Sequence, residues 1–75
     1  MINKFNTTDI VLAATLKVLG YTLTHIEKSG NKGTFFFEGV EGEIIVKFDT
    51  GRCSVEPVSF NNAVKSLTTA VRRQS

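Results

Sequence analysis

The sequence predicts a small α+β domain spanning residues 1–75, in which an antiparallel β-hairpin packs with an N-terminal and a C-terminal helix. Three observations carry that prediction. Residues 10–19 form an apolar run bounded by Thr7-Thr8-Asp9 on one side and Gly20 on the other. Residues 21–38 switch to a period of two around a glycine-containing centre, and residues 57–73 repeat apolar positions at intervals of three and four.

The first helix begins where side chains can satisfy the free N–H groups of an opening turn. Asn6 or Thr7 supplies the capping oxygen, and Asp9 adds negative charge near the positive end of the macrodipole. With Asn6 as the cap, Phe5 and Ile10 occupy the staple positions that fix the entry angle. Gly20 offers the left-handed conformation that ends a helix. Between Ile10 and Leu19 only Thr15 and Lys17 are polar. Leu12, Leu16 and Leu19 therefore form one apolar stripe, and Val11, Ala14 and Val18 form a second. A helix with two stripes needs cover on more than one side. Either it is sandwiched inside the domain, or the second stripe is left over for a partner or another copy of the chain.

From Tyr21 onward, β-branched and aromatic residues favour a strand, with Tyr21, Leu23 and His25 on one face and Thr22, Thr24 and Ile26 on the other. The stretch from Lys28 to Gly33, with Gly30 and Asn31 inside it, reads as a turn. Thr34 to Glu38 is the returning strand, so 21–38 makes a hairpin. Phe35 and Phe37 share one face, and Phe36 lies on the other. An outward aromatic can stack on a base, but packing as core is the weightier reading of a phenylalanine cluster.

Residues 43–49 are a short helix or a third strand. Ile44, Ile45, Val46 and Phe48 are strand formers, and Asp49-Thr50-Gly51 before Arg52-Cys53-Ser54-Val55 could close a second hairpin. Ile44, Ile45 and Phe48 also fall on one face of a short helix, but the residues by themselves lean to strand. The terminal helix is plainer. Pro57 suits the first helical position, Glu56 is an imperfect cap before it, and Val55 and Phe60 stand at staple positions. Phe60, Ala63, Val64, Leu67, Ala70 and Val71 form its apolar stripe, opposite a polar side that includes Lys65, Arg72 and Arg73.

Composition narrows the chemistry. The 75 residues are 41% hydrophobic and 21% charged, with nine basic residues, seven acidic ones and a net charge of +2. A domain this small buries only about 60–65% of its unfolded surface, so association would add needed stability. The charges are mostly interspersed and form no positive stripe of the kind nucleic-acid binders show. No apolar run reaches the length of a membrane span, and no cleavage signal follows the early apolar run, so a cytoplasmic location is expected. The single Cys53 precludes an internal disulfide, and paired with the single His25 it lacks a third orienting group for nucleophilic catalysis. One cysteine and one histidine also fall short of a zinc site. No cofactor, metal or catalytic residue is assigned.

Taken together, Phe5 with Thr7-Thr8-Asp9, Leu12-Ala13-Ala14, Leu16, Gly20-Tyr21, Leu23, Ile26-Glu27, Phe35-x-Phe37-Glu38, Phe48, Gly51, Val55, Pro57, Phe60, Ala63 and Leu67 resemble a family of short bacterial and phage domains of unknown function. The resemblance runs over nearly the whole chain. It implies a helix, a hairpin, a short helix and a terminal helix, often encoded in phages and other mobile elements. This chain departs from it in a shorter, more β-rich segment before Phe48 and in Glu56, where the family usually has Asp. The resemblance brings no catalytic residues.

The expected function is that of a non-enzymatic phage or mobile-element accessory protein acting by protein–protein contact and associating with itself. Val11, Ala14, Val18 and Phe36 are the candidate interface residues. The alternatives are weak nucleic-acid binding through phosphate contacts from Lys65, Arg72 and Arg73, and inhibition of a host protein such as a defence component. In a viral setting the location would be the host cytoplasm.

Overall fold

A computed structural model of the chain describes residues 4–30, 32–51 and 54–73. The order of elements is β1 (Lys4–Thr7), α1 (Ile10–Val18), β2 (Thr22–Ser29), β3 (Lys32–Glu38), α2 (Gly42–Asp49) and α3 (Pro57–Arg73). The strands form one antiparallel sheet in the order β1-β3-β2, so β1 and β2 flank the central β3 and run parallel to each other. The expected α+β architecture is present, with the hairpin between an N-terminal and a C-terminal helix. The third strand is β1, ahead of the first helix, while residues 43–49 lie within the helix α2.

The formation of β1 moves the cap of α1. Asn6 and Thr7 are taken up by pairing with Phe36 and Phe35, and Asp9 becomes the N-cap. Its Oδ1 accepts from the N–H groups of Val11 and Leu12 at 2.9 and 3.4 Å, and its own N–H donates to Thr7 Oγ1 at 3.0 Å. With the cap at Asp9, Phe5 and Ile10 no longer stand at staple positions. The other end matches expectation: Gly20 has φ +98°, Tyr21 N–H donates to Leu16 O, and Gly20 N–H donates to Lys17 O. These are the paired bonds of a Schellman ending.

A β-bulge resolves a conflict in the alternation of β2. The register runs Leu23↔Phe37 and then His25↔Phe36, with Thr24 as the extra residue. Simple alternation would set Leu23 and Ile26 on opposite faces. The inserted residue instead puts both opposite the inward Phe37 and Phe35, and it turns His25 outward beside Phe36. The hairpin is also tighter than expected, because Lys28, Ser29, Lys32 and Gly33 all belong to the strands. Asn31 lies outside the described residues.

Leu12, Ala13, Ala14, Leu16, Ile26, Phe35, Phe37, Val40, Ala63 and Leu67 form the buried core, so α1 and α3 share it with the inner sheet face. Five consecutive residues of α1, Leu12 to Leu16, are buried. The helix is therefore sandwiched within the domain rather than presenting a whole stripe to solvent. In α3 the apolar stripe falls where the spacing predicts, with Ala63 and Leu67 buried and Phe60, Val64, Ala70 and Val71 packed against the core. Ile44, Ile45 and Phe48 of α2 also pack there, on the one face that a helical reading gives them.

Candidate functional site

The four candidate interface residues separate in three dimensions. Ala14 is 0% exposed, which corrects its assignment: its methyl group belongs to the α1 packing and no partner can reach it. Val18 is half-buried against the core and borders the groove between α1 and α3 with Lys17, Ser59, Asn62, Ala63 and Ser66. Val11 remains 47% exposed. Phe36 is on the opposite side of the molecule, on the outer face of the sheet.

That outer face draws residues from all three strands. Pairing places Lys4, Asn6, Thr22, His25 and Glu27 around Thr34, Phe36 and Glu38 of the central strand. Phe36 and His25 stack with ring centroids 4.2 Å apart and planes 7° from parallel. The stack is anchored from the backbone by the bulged Thr24, whose hydroxyl donates to Phe36 O at 3.0 Å. Glu27 Oε1 stands 3.8 Å from His25 Nε2. Beside the stack lies a hollow of about 480 Å³ walled by Lys4, Thr24, His25, Phe36, Phe37 and Glu38. The face thus has an aromatic centre inside a polar rim. Sequence alternation points to Phe36 facing outward, but it misses His25 because only the bulge brings the imidazole to that face.

The candidate phosphate contacts do not surround one point either. Lys65 and Arg73 border a groove along α3 with Thr69, whereas Arg72 borders a different hollow together with Lys28. All three are exposed. The i, i+4 rows of the helix explain the split, since 65, 69 and 73 fall on one row and 68 and 72 on another.

Reactive groupings are few. Lys17 Nζ donates to Ser66 Oγ at 3.1 Å, and both side chains are exposed. The ammonium is the donor here, the reverse of the proton transfer that a lysine base acting on a serine would need. Among the described residues no three His, Cys, Asp or Glu side chains come together as metal ligands. No described helix is long and apolar enough to cross a membrane. Cys53, weighed above with His25, and Arg52 lie outside the described residues. Hydrogen bonds from Ser59 and then Val58 hold the Glu56 carboxyl below its ordinary value, a consequence of helix capping rather than of a reactive pocket. No family model, curated protein or solved structure matches the chain.

Proposed function

We propose that this protein is a small non-enzymatic accessory protein, of the kind carried by phages and mobile elements, and that it works by contact with another protein. The reading rests on one observation above the rest: the aromatic pair Phe36–His25 sits at the centre of the exposed sheet face, stacked and held by Thr24, while the helices cover only the other face. A half-buried ring that is already ordered by stacking loses little side-chain entropy on binding, which favours it as an anchor. The partner is a second copy of the chain or a host protein, with a defence component as one instance of the latter.

Sedimentation and affinity capture with wild type and Phe36→Asp test the reading. Self-association predicts a wild-type dimer that dissociates in the variant. If the wild type is a monomer at high micromolar concentration, the host-protein form predicts that Phe36→Asp loses a captured protein. A monomeric wild type whose captured proteins are identical to those of the variant would remove the sheet face from the function.

A further inference from the structure

The structure gathers cations that the sequence keeps apart. The last turns of α3 lie so close to the start of β3 that a β-carbon on Gly33 would stand 2.6 Å from Val71 Cγ2. Lys28 is the cross-strand partner of Gly33, and Arg72 follows Val71. The glycine contact therefore brings the end of the hairpin and the end of α3 to one place. There Lys28 and Arg72 line a hollow of about 300 Å³ whose remaining walls are Ile10, Gly33, Thr68 and Val71.

No carboxylate lines this hollow. The acidic residues adjacent in sequence are turned elsewhere: Asp9 accepts from the first turn of α1, and Glu27 lies beside His25 on the outer sheet face. Among the described residues neither Lys28 nor Arg72 makes an ion pair. The Thr68 hydroxyl donates to Val64 O at 2.8 Å, so its proton is already committed. Two cations thus face an opening with apolar side chains on its walls, which weakens the local screening of their field.

From this geometry we infer that the hollow is a binding site for a phosphate group. A dianionic phosphate engages both cations at once: the Arg72 fork matches two of its oxygens, and Lys28 acts as a point charge on a third. A single carboxylate leaves one cation less well satisfied. The apolar walls from Ile10 and Val71 accommodate the carbon skeleton of a phosphate ester. The phosphate is either that of a small ester or that of a nucleic-acid backbone. In the second case Lys65 and Arg73, on the next groove of α3, are placed for a following phosphate.

Amide chemical-shift titration of the full chain with inorganic phosphate and with a short oligothymidylate separates the sources. Shifts centred on Gly33 and Val71 are expected with at least one probe. Loss of about tenfold in affinity is expected for each of Lys28→Gln and Arg72→Gln. A backbone source gives tighter binding of the oligonucleotide, with a logarithmic salt slope of about −1.4 for two neutralised phosphates. A small-ester source gives saturation by inorganic phosphate and no gain from the oligonucleotide. Both positions are exposed, and the same spectra report whether the variants stay folded. The inference is overturned if neither probe shifts these amides, if the double variant binds as the wild type does, or if polyglutamate shifts them as strongly as either phosphate probe. It is independent of the sheet-face reading, since Phe36→Asp leaves this hollow untouched.

Discussion

The helices α1 and α2 are nine and eight residues long, yet one has five consecutive buried residues and the other has none. The difference follows from what each helix has to pack against. In α1, Leu12 to Leu16 include no side chain larger than leucine, and Ala13 and Ala14 let neighbouring elements approach from more than one direction. In α2, Ile44, Ile45 and Phe48 reach the core from one side while Val46 stays 61% exposed. An apolar segment can thus become either the centre of a small domain or a flap along its edge. Residue size and the continuity of the run, rather than apolar content alone, distinguish the two.

The sharpest way to break this comparison is to shorten one side chain in each helix, a buried one in α1 and an exposed one in α2. Leu16→Ala removes a side chain with 0% exposure and is expected to cost about 2–5 kcal/mol. That is a large share of the stability of so small a domain. Val46→Ala should stay within about 0.5 kcal/mol of the wild type. Urea denaturation of both variants measures the contrast, and comparable losses would show that α2 is as deeply integrated as α1.

The helix starts differ as well. Asp9 binds two N–H groups of α1, whereas Glu41, at the corresponding position of α2, makes no side-chain cap bond. Asp9→Ala should lower global stability by about 1 kcal/mol. Glu41→Asp should act in the opposite sense and more locally, raising hydrogen-exchange protection of α2 by a few tenths of a kcal/mol to about 1 kcal/mol while leaving the melting temperature nearly fixed. Unchanged α2 protection would mean that the start of this helix is already satisfied by its surroundings.

How much of this was legible in the sequence depends on whether the signal is local. The apolar run of α1, the stripe of α3 and the two strands of the hairpin are periodic patterns, and these elements form where the period puts them, although within β2 the faces do not follow it. Strand β1 is four residues long and contains Asn6 and Thr7, so its capping chemistry masks its pairing chemistry. The helical state of 43–49 is ambiguous because Ile44, Ile45 and Val46 favour a strand, and only their packing against the core settles it. The bulge at Thr24 has no local signature, yet it decides which of Leu23, His25 and Ile26 face the core. The same limit governs the candidate sites. Phe36 is legible as outward-facing from alternation, while its stack with His25 depends on the bulge. Ala14 looks available from a helical projection and is closed by tertiary packing. The approach of Lys28 to Arg72 depends on a contact between Gly33 and Val71, which no spacing rule reports.

The third helix start gives the smallest expected effect and a test by pH. Glu56, the imperfect cap of the sequence reading, accepts from Ser59 N–H at 2.6 Å and does for α3 what Asp9 does for α1. Hydrogen bonds to its ionised form lower its carboxyl below the ordinary value of 4.5. A carboxylate whose folded value is depressed contributes stability that is fully present above its unfolded value and is lost as pH falls through the folded one. The Glu56 contribution should therefore be complete near neutral pH and fade below about pH 4.5. Glu56→Gln keeps an oxygen acceptor and removes the charge, so it should be slightly less stable than wild type at pH 7 and indistinguishable from it in strong acid. Solvent screens this exposed group, so the difference should be smaller than that of Asp9→Ala. Thermal melts of both proteins across pH 2–7 would show the two curves converging on the acid side; curves that stay parallel would place the capping of α3 elsewhere than in the Glu56 carboxylate.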